Sequence, residues 1–193
     1  MNSNKFLSPE EIVKFFDLQK GDHIADFGAG HGFFAIPMAK IAGKSGKVYA
    51  IDVQKNVLDV IRAKAKQENL ENVEIIWHDL DLPEGMRIKS SFLEFVLISN
   101  VLFQAENKDS FFQEAYRILR LGSRLAVIDW NLSSQSDILK EESLGPVPNS
   151  RLGPHHLHRL PPQEVKKLGG KAGFTFIKEF PAGSHHFGLM FKK

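Results

Sequence analysis

The run HIADFGA at residues 23–29, continuing through His31 to Gly32, decides the fold. It is short and partly apolar, it breaks into glycines at positions 28, 30 and 32, and a helix follows from about Phe33 to Ala42. The order is strand, glycine loop, helix. Glycines at that point let the chain turn sharply and let a ligand approach bare backbone at the start of a helix. In an open α/β sheet this is the carboxyl edge of a central strand, where the strand order reverses and a crevice forms.

The pattern repeats downstream. KVYAIDV (47–53) reads as a second strand, and the helix from Gln54 to about Asn69 carries Val57, Leu58, Ile61 and Ala65 on one face. VEIIWHD (73–79) is a third strand, SFLEFVLISNVL (91–102) a fourth, and SRLAVIDW (123–130) a fifth. Between the last two, Phe111, Ala115, Ile118 and Leu119 mark a helix ended by Gly122. Strands buried on both faces and alternating with amphipathic helices imply a parallel sheet. Upstream, Ser8 and Pro9 open a helix that Gly21 ends. Near the carboxyl end, Pro161 and Pro162 open another, stopped by Gly173, and strands 175–183 and 185–193 are joined so tightly that they must be antiparallel. From 131 to 160 the pattern fails, apart from a short helical piece around Asp137 to Leu144; a loop of that length is expected to face an acceptor.

A chain of 193 residues fits one domain, 1–193, and 42% hydrophobic with 25% charged residues describes an ordinary globular protein. The 16 phenylalanines are expected in the core. No stretch approaches the roughly 20 apolar residues of a membrane span, and the expected location is cytoplasmic. Cysteine is absent, which excludes disulfides, thiolate metal sites and a cysteine nucleophile. The net charge is +2 and the basic residues are scattered rather than striped, so a nucleic-acid partner is not expected. Nothing identifies an oligomer contact.

Each strand end supplies a candidate ligand group. Asp52 closes the second strand at the spacing where an acid accepts hydrogen bonds from both hydroxyls of an adenosine ribose. Asp79 closes the third; its carboxylate can accept from an adenine amino group while the Leu80 backbone serves the ring edge. Asp26 at the mouth of the glycine loop can pair with a cationic amino group, and Asn100, ending the fourth strand, can complete the ligand's amino-acid end.

The ordered set of DFGAGHGFFAIPMAK, VYAIDV, the HD at 78–79, LISNVLFQ, EAYRILRLGSRLAVIDW and AGF resembles the class I S-adenosylmethionine-dependent methyltransferases, of the small type near the ubiquinone and menaquinone C-methyltransferases. The resemblance covers roughly residues 20–190. It implies a Rossmann-like, doubly wound, mostly parallel seven-stranded sheet in the order 3-2-1-4-5-7-6, with strand 7 antiparallel. It also implies S-adenosyl-L-methionine as cofactor, with its sites at Asp26, Gly28, Ala29, Gly30, Asp52, Val53, Asp79, Leu80 and Asn100, and Gly32 completing the glycine loop. Where the family usually has a proline and a glycine pair before the fifth strand, this chain has Leu121, Gly122 and Ser123. Relatives that methylate arsenic hold it through cysteines, so that acceptor is excluded here.

A sulfonium methyl is already electrophilic, so the expected activity is transfer to a small-molecule acceptor chiefly by alignment in a site with little water. If the acceptor loses a proton, His155 and His156 in GPHHLHRLPP, with His158 beside them, and Asp129 at the end of the fifth strand are the candidate bases. No spacing rule supports a metal there. Trp130 is expected to wall the acceptor and Trp77 to fill the core; Arg151 and Arg159 can hold an anionic acceptor, and His185 and His186 read as edge residues. Two other readings stay open. An NAD-dependent oxidoreductase shares the ribose acid but wants G-x-G-x-x-G, and position 33 is Phe. A non-catalytic cofactor-binding regulator would keep the cofactor residues and fill the acceptor cleft with side chains.

Overall fold

The computed structural model describes residues 8–82, 85–132 and 153–193. Arg151 and the helical piece expected at Asp137 to Leu144 lie outside them. Ser8 caps α1 (Pro9–Ile12) with a reciprocal pair: its Oγ accepts from the Glu11 N–H at 3.3 Å, and the Glu11 carboxylate accepts from the Ser8 N–H at 3.0 Å. The chain then tightens into a 3-10 turn, Val13–Phe16, and stops at Asp17 with φ 53°, short of the expected end at Gly21. Two contacts explain the early stop. Arg124 donates to the Asp17 carboxylate and carbonyl at 2.9 Å each, and Phe16 is driven fully into the core, its ring 5.0 Å from Phe95 and 5.6 Å from Phe180.

The alternation read from the sequence follows: β1 (His23–Phe27), α2 (Ala35–Ala42), β2 (Lys47–Asp52), α3 (Lys55–Gln67), β3 (Val73–Trp77), β4 (Leu93–Ser99), α4 (Lys108–Ile118), β5 (Leu119–Trp130), α5 (Pro162–Lys171), β6 (Thr175–Pro181) and β7 (His186–Lys192). The sheet order is β3-β2-β1-β4-β5-β7-β6. Pairs from β3 to β5 are parallel, and β7 runs antiparallel between β5 and β6. The expected strand order and antiparallel strand 7 are therefore both present. Boundaries shift at several elements, among them α4. The helix expected to run to Gly122 ends at Ile118, because fully buried Leu119 already pairs with Leu93. Gly122, at φ 85°, then carries an irregularity within β5 and donates its N–H to the Lys193 carbonyl at 2.8 Å.

Each face of the sheet has its own apolar cluster. Ile24, Phe95, Leu97, Ala126 and Ile128 pack with α1, α2 and α3, whereas Phe27, Val96, Ile98, Leu125 and Val127 pack with α4 and α5. The phenylalanines largely do belong here: Phe16, Phe27, Phe95, Phe112 and Phe191 are fully buried. Since β1 leads outward to β2 and β3 while β4 lies on its other side, the strand order reverses between β1 and β4, and a crevice opens above their carboxyl ends. Among the described residues, no helix is long and apolar enough to cross a membrane.

Candidate functional site

The crevice is a cleft of about 420 Å³ lined by residues from the first four strand ends: Gly28 and Gly30 after β1, Asp52 and Val53 after β2, Asp79 and Leu80 after β3, and Asn100 after β4. The glycine loop is held chiefly by the neighbouring strand. The N–H groups of Gly28 and Ala29 both donate to the Ile51 carbonyl at 2.9 Å, and that of Gly30 donates to Asp52 Oδ2 at 2.9 Å. Asp52 Oδ1 accepts from the Gln54 N–H at 2.9 Å, so one carboxylate ties the loop to the start of α3 and keeps a second lone pair on each oxygen for a ligand. Asp79 Oδ1 accepts from the Asp81 N–H at 3.0 Å, which shapes the turn after β3.

Beneath the loop lies Asp26. It is 2% exposed, its Oδ2 has no hydrogen-bond partner, and burial first, then repulsion from Asp52, raises its pKa to about 7 against a weaker opposing hydrogen bond from the Ala35 backbone. Asn100 has φ 52°, a left-handed conformation that asparagine tolerates; its N–H donates to the Ile128 carbonyl at 2.9 Å, and its buried Oδ1 is also without a partner. Two buried acceptor oxygens thus lack donors, Asn100 Oδ1 at the cleft and Asp26 Oδ2 beneath its glycine loop, as a ligand ammonium would supply. With Asp52, Asp79 and Asp81 along the cleft, the site favours a cationic ligand.

Some expected residues stand elsewhere. Ala29 is buried, and Gly32 packs against Ile61 and Ile36 at the start of α2, so neither lines the cleft. Asp129 is fully buried; by strand alternation it shares the face of Leu125 and Val127, with Oδ1 accepting from the Trp130 N–H at 2.8 Å and burial raising its pKa to about 6. His155 caps a 3-10 turn, His156–His158, by accepting from the Leu157 N–H at 3.3 Å, and its ring lies 4.2 Å from that of His156. Neither histidine lines the cleft. Among the described residues, no group of three or more acids and histidines is placed to hold a metal ion. Trp77 does not fill the core: at the sheet edge it is 60% exposed, donates Nε1–H to the Val53 carbonyl at 2.8 Å and lies under Lys55. His186 is no edge residue either. The antiparallel register sets it opposite Trp130, ring to ring at 4.2 Å. Arg159 lies over the Trp130 ring and donates to the Asn131 and Pro154 carbonyls, which occupies the guanidinium expected to bind an anion.

Sequence reading missed His78, Asp81 and Gln104 in the cleft, although the second acid of HDLD was a visible signal for Asp81. It also missed a second cavity. A chamber of about 190 Å³ lies among α1, Phe33, Phe34, Ile128 and the β6–β7 turn, and Asn100 lines both spaces.

A family profile described as "Methyltransferase domain" matches residues 18–162. The chain belongs to this methyltransferase family. Its similarity to the demethylmenaquinone methyltransferase of Listeria welshimeri is 32% identity over 121 residues, covering 62% of this chain and 50% of that one. The corresponding figures for the ubiquinone/menaquinone biosynthesis C-methyltransferase of Haemophilus ducreyi are 29% over 114 residues, 59% and 43%. The chain spans about half the length of the curated relatives it matches. A SAM-dependent methyltransferase from Aquifex aeolicus shares the fold at TM-score 0.80 and 24% identity, covering 96% of this chain and 89% of that one. The class I methyltransferase resemblance therefore holds at the level of family and fold.

The methyltransferase glycine loop also argues against a dinucleotide. In a pyrophosphate site the loop amides are free to meet phosphate oxygens. Here those of Gly28, Ala29, Gly30 and Gly32 are all donated within the protein, and an anion would face Asp26 and Asp52. Gly28 itself, at φ 72°, leaves no room for a side chain: a Cβ would stand 2.8 Å from Val101 Cβ and Cγ2. Gly28→Ala is expected to lower stability by about 1–3 kcal/mol and to push Val101 into the cleft, read as a lower denaturation midpoint together with weakened cofactor binding.

Proposed function

We propose that the chain, acting as one domain, binds S-adenosylmethionine in the cleft and transfers its methyl group to a small-molecule acceptor. The observation that carries this reading is that Asp52, Asp79 and Asn100 line one acidic cleft with Asp26 buried beneath its glycine loop, and that the two buried oxygens Asp26 Oδ2 and Asn100 Oδ1 lack donors. Asp52 receives the ribose hydroxyls, Asp79 and the Leu80 N–H hold the adenine, and Asp26 and Asn100 receive the ammonium end. Val53, kept in place by Trp77, flanks the adenosine. When bound, the cofactor supplies a methyl carbon already activated by sulfonium sulfur. The protein's own part is to orient that end towards Asn100 and to keep water away from the acceptor.

No side chain among the described residues fills the acceptor chamber, which favours an enzyme over a cofactor-binding regulator. The relatives' names point to quinone-type acceptors, and the aromatic lining of the chamber suits a ring. Neither nucleic acid nor a second copy of the chain is required, and a cytoplasmic location suits a small-molecule reaction of this kind. His155, His156 and Asp129 have no part in this reading, since none of them lines the cleft or the chamber. The test is parallel calorimetric titration with S-adenosylmethionine, S-adenosylhomocysteine and NAD. Binding of both adenosyl ligands without NAD is expected; binding of NAD alone would overturn the reading.

A further inference from the structure

We propose that the chamber beyond Asn100 seats the methyl acceptor and that His186 receives a hydrogen bond from it, which makes the acceptor a single aromatic ring carrying a hydroxyl group. This deepens the function proposed above and rests on it. Asn100 is common to the cofactor cleft and the chamber, and its main chain is pinned to β5 through the Ile128 carbonyl at 2.9 Å. A methyl group presented past Asn100 therefore meets the chamber directly.

The chamber's dimensions and lining select the occupant. At about 190 Å³ it is smaller than the roughly 300–1,000 Å³ usual for drug-sized ligands, so it suits one ring. Pro9, Ile12, Phe33, Phe34, Ile128 and Ala182 give it apolar and aromatic walls. Among the described residues no lysine or arginine lines it, which disfavours a carboxylate or phosphate.

Its polar lining comes from Asn100, Ser184, His185 and His186. His186 lines the chamber, and its Nε2 is buried without a hydrogen-bond partner, as is Oδ1 of Asn100. Burial, reinforced by His185 and Arg159, lowers the His186 pKa to about 4, so at neutral pH the ring is uncharged and, in the tautomer with its proton on Nδ1, offers the Nε2 lone pair. Trp130 packs on the ring and fixes its orientation. With Asn100 Oδ1 committed to the cofactor's ammonium group, the unpartnered His186 Nε2 calls for a ligand that donates, and a hydroxyl provides both the donor and the nucleophilic oxygen. In the transfer, an oxygen lone pair forms the bond to the methyl carbon and the carbon–sulfur pair leaves on sulfur. The hydroxyl proton, made strongly acidic as the oxygen is alkylated, passes to His186 Nε2 and from there to water.

The experiment uses the full chain saturated with S-adenosylhomocysteine and compares phenol with toluene, its isostere without the hydroxyl, by ligand-observed NMR titration. Phenol is expected to bind about tenfold more tightly than toluene, the worth of one satisfied buried hydrogen bond. His186→Phe should abolish that preference, and His186→Gln, which keeps an acceptor atom, should restore part of it. Calorimetry with S-adenosylhomocysteine should give unchanged affinity in both variants, which also shows that they fold. Equal binding of phenol and toluene, or an undiminished preference in His186→Phe, overturns the inference. Failure of the wild-type chain to bind S-adenosylhomocysteine strikes instead at the methyltransferase reading itself.

Discussion

Replacing Asp52 with alanine is expected to weaken S-adenosylmethionine binding by about 2–4 kcal/mol, roughly a 30- to 900-fold rise in dissociation constant. The size follows from two losses. The ribose hydroxyls lose a charged acceptor, and the N–H groups of Gly30 and Gln54 lose the oxygens that now hold them at 2.9 Å. The second loss loosens the glycine loop even without ligand. Asp52→Asn separates the two effects, because its amide oxygen can keep one backbone partner while its amino group cannot accept from the other. An intermediate affinity is expected for it. Calorimetric titration of both variants, with thermal unfolding to establish that they are folded, checks the result; an unchanged dissociation constant for Asp52→Ala would remove Asp52 from the ribose site.

The cleft was legible because its determinants are local. A strand that breaks into glycines before a helix has few other solutions, and the sheet topology then carries Asp52, Asp79 and Asn100 to one rim. Position along a strand was enough to place a residue at the carboxyl edge without knowledge of its contacts.

The chamber was not legible, since its parts meet only through long-range pairing. His186 and Trp130 become neighbours through the antiparallel register of β5 and β7, and nothing near either residue in sequence indicates it. Trp77 was misplaced for a related reason: a strand can read as core while lying at the sheet edge, and only the strand order shows that β3 has a single neighbour. The early end of α1 likewise depends on Arg124, a residue of a distant strand. Asp129 sits at the carboxyl edge, as its position in the strand suggested, but on the face away from the chamber, which only the packing of the helices on each face shows.

Asp26 provides the sharpest test of how the site handles charge. Its pKa is raised from 3.8 to about 7 in the folded chain, whereas in the unfolded chain the carboxyl titrates near its ordinary value. Between those limits the folded state binds the additional proton, so without cofactor the domain should lose stability as pH rises from about 4 to 7 and change little above that from this group. The loss is on the order of a few kcal/mol. Cofactor binding should follow the opposite course. An ammonium group facing Asp26 favours the carboxylate, so binding releases a proton, and affinity should fall by up to about tenfold for each pH unit below 7. Asp26→Asn removes both dependences at once, because an amide cannot ionise. The variant is expected to melt higher than the wild type at pH 8 in the absence of ligand, yet to bind S-adenosylmethionine more weakly there, with little pH dependence between 5 and 8. Thermal unfolding and calorimetry across that range measure both. A variant that melts lower than the wild type at pH 8, or that keeps wild-type affinity, would show that Asp26 is held by a partner within the fold and does not wait for the ligand's charge.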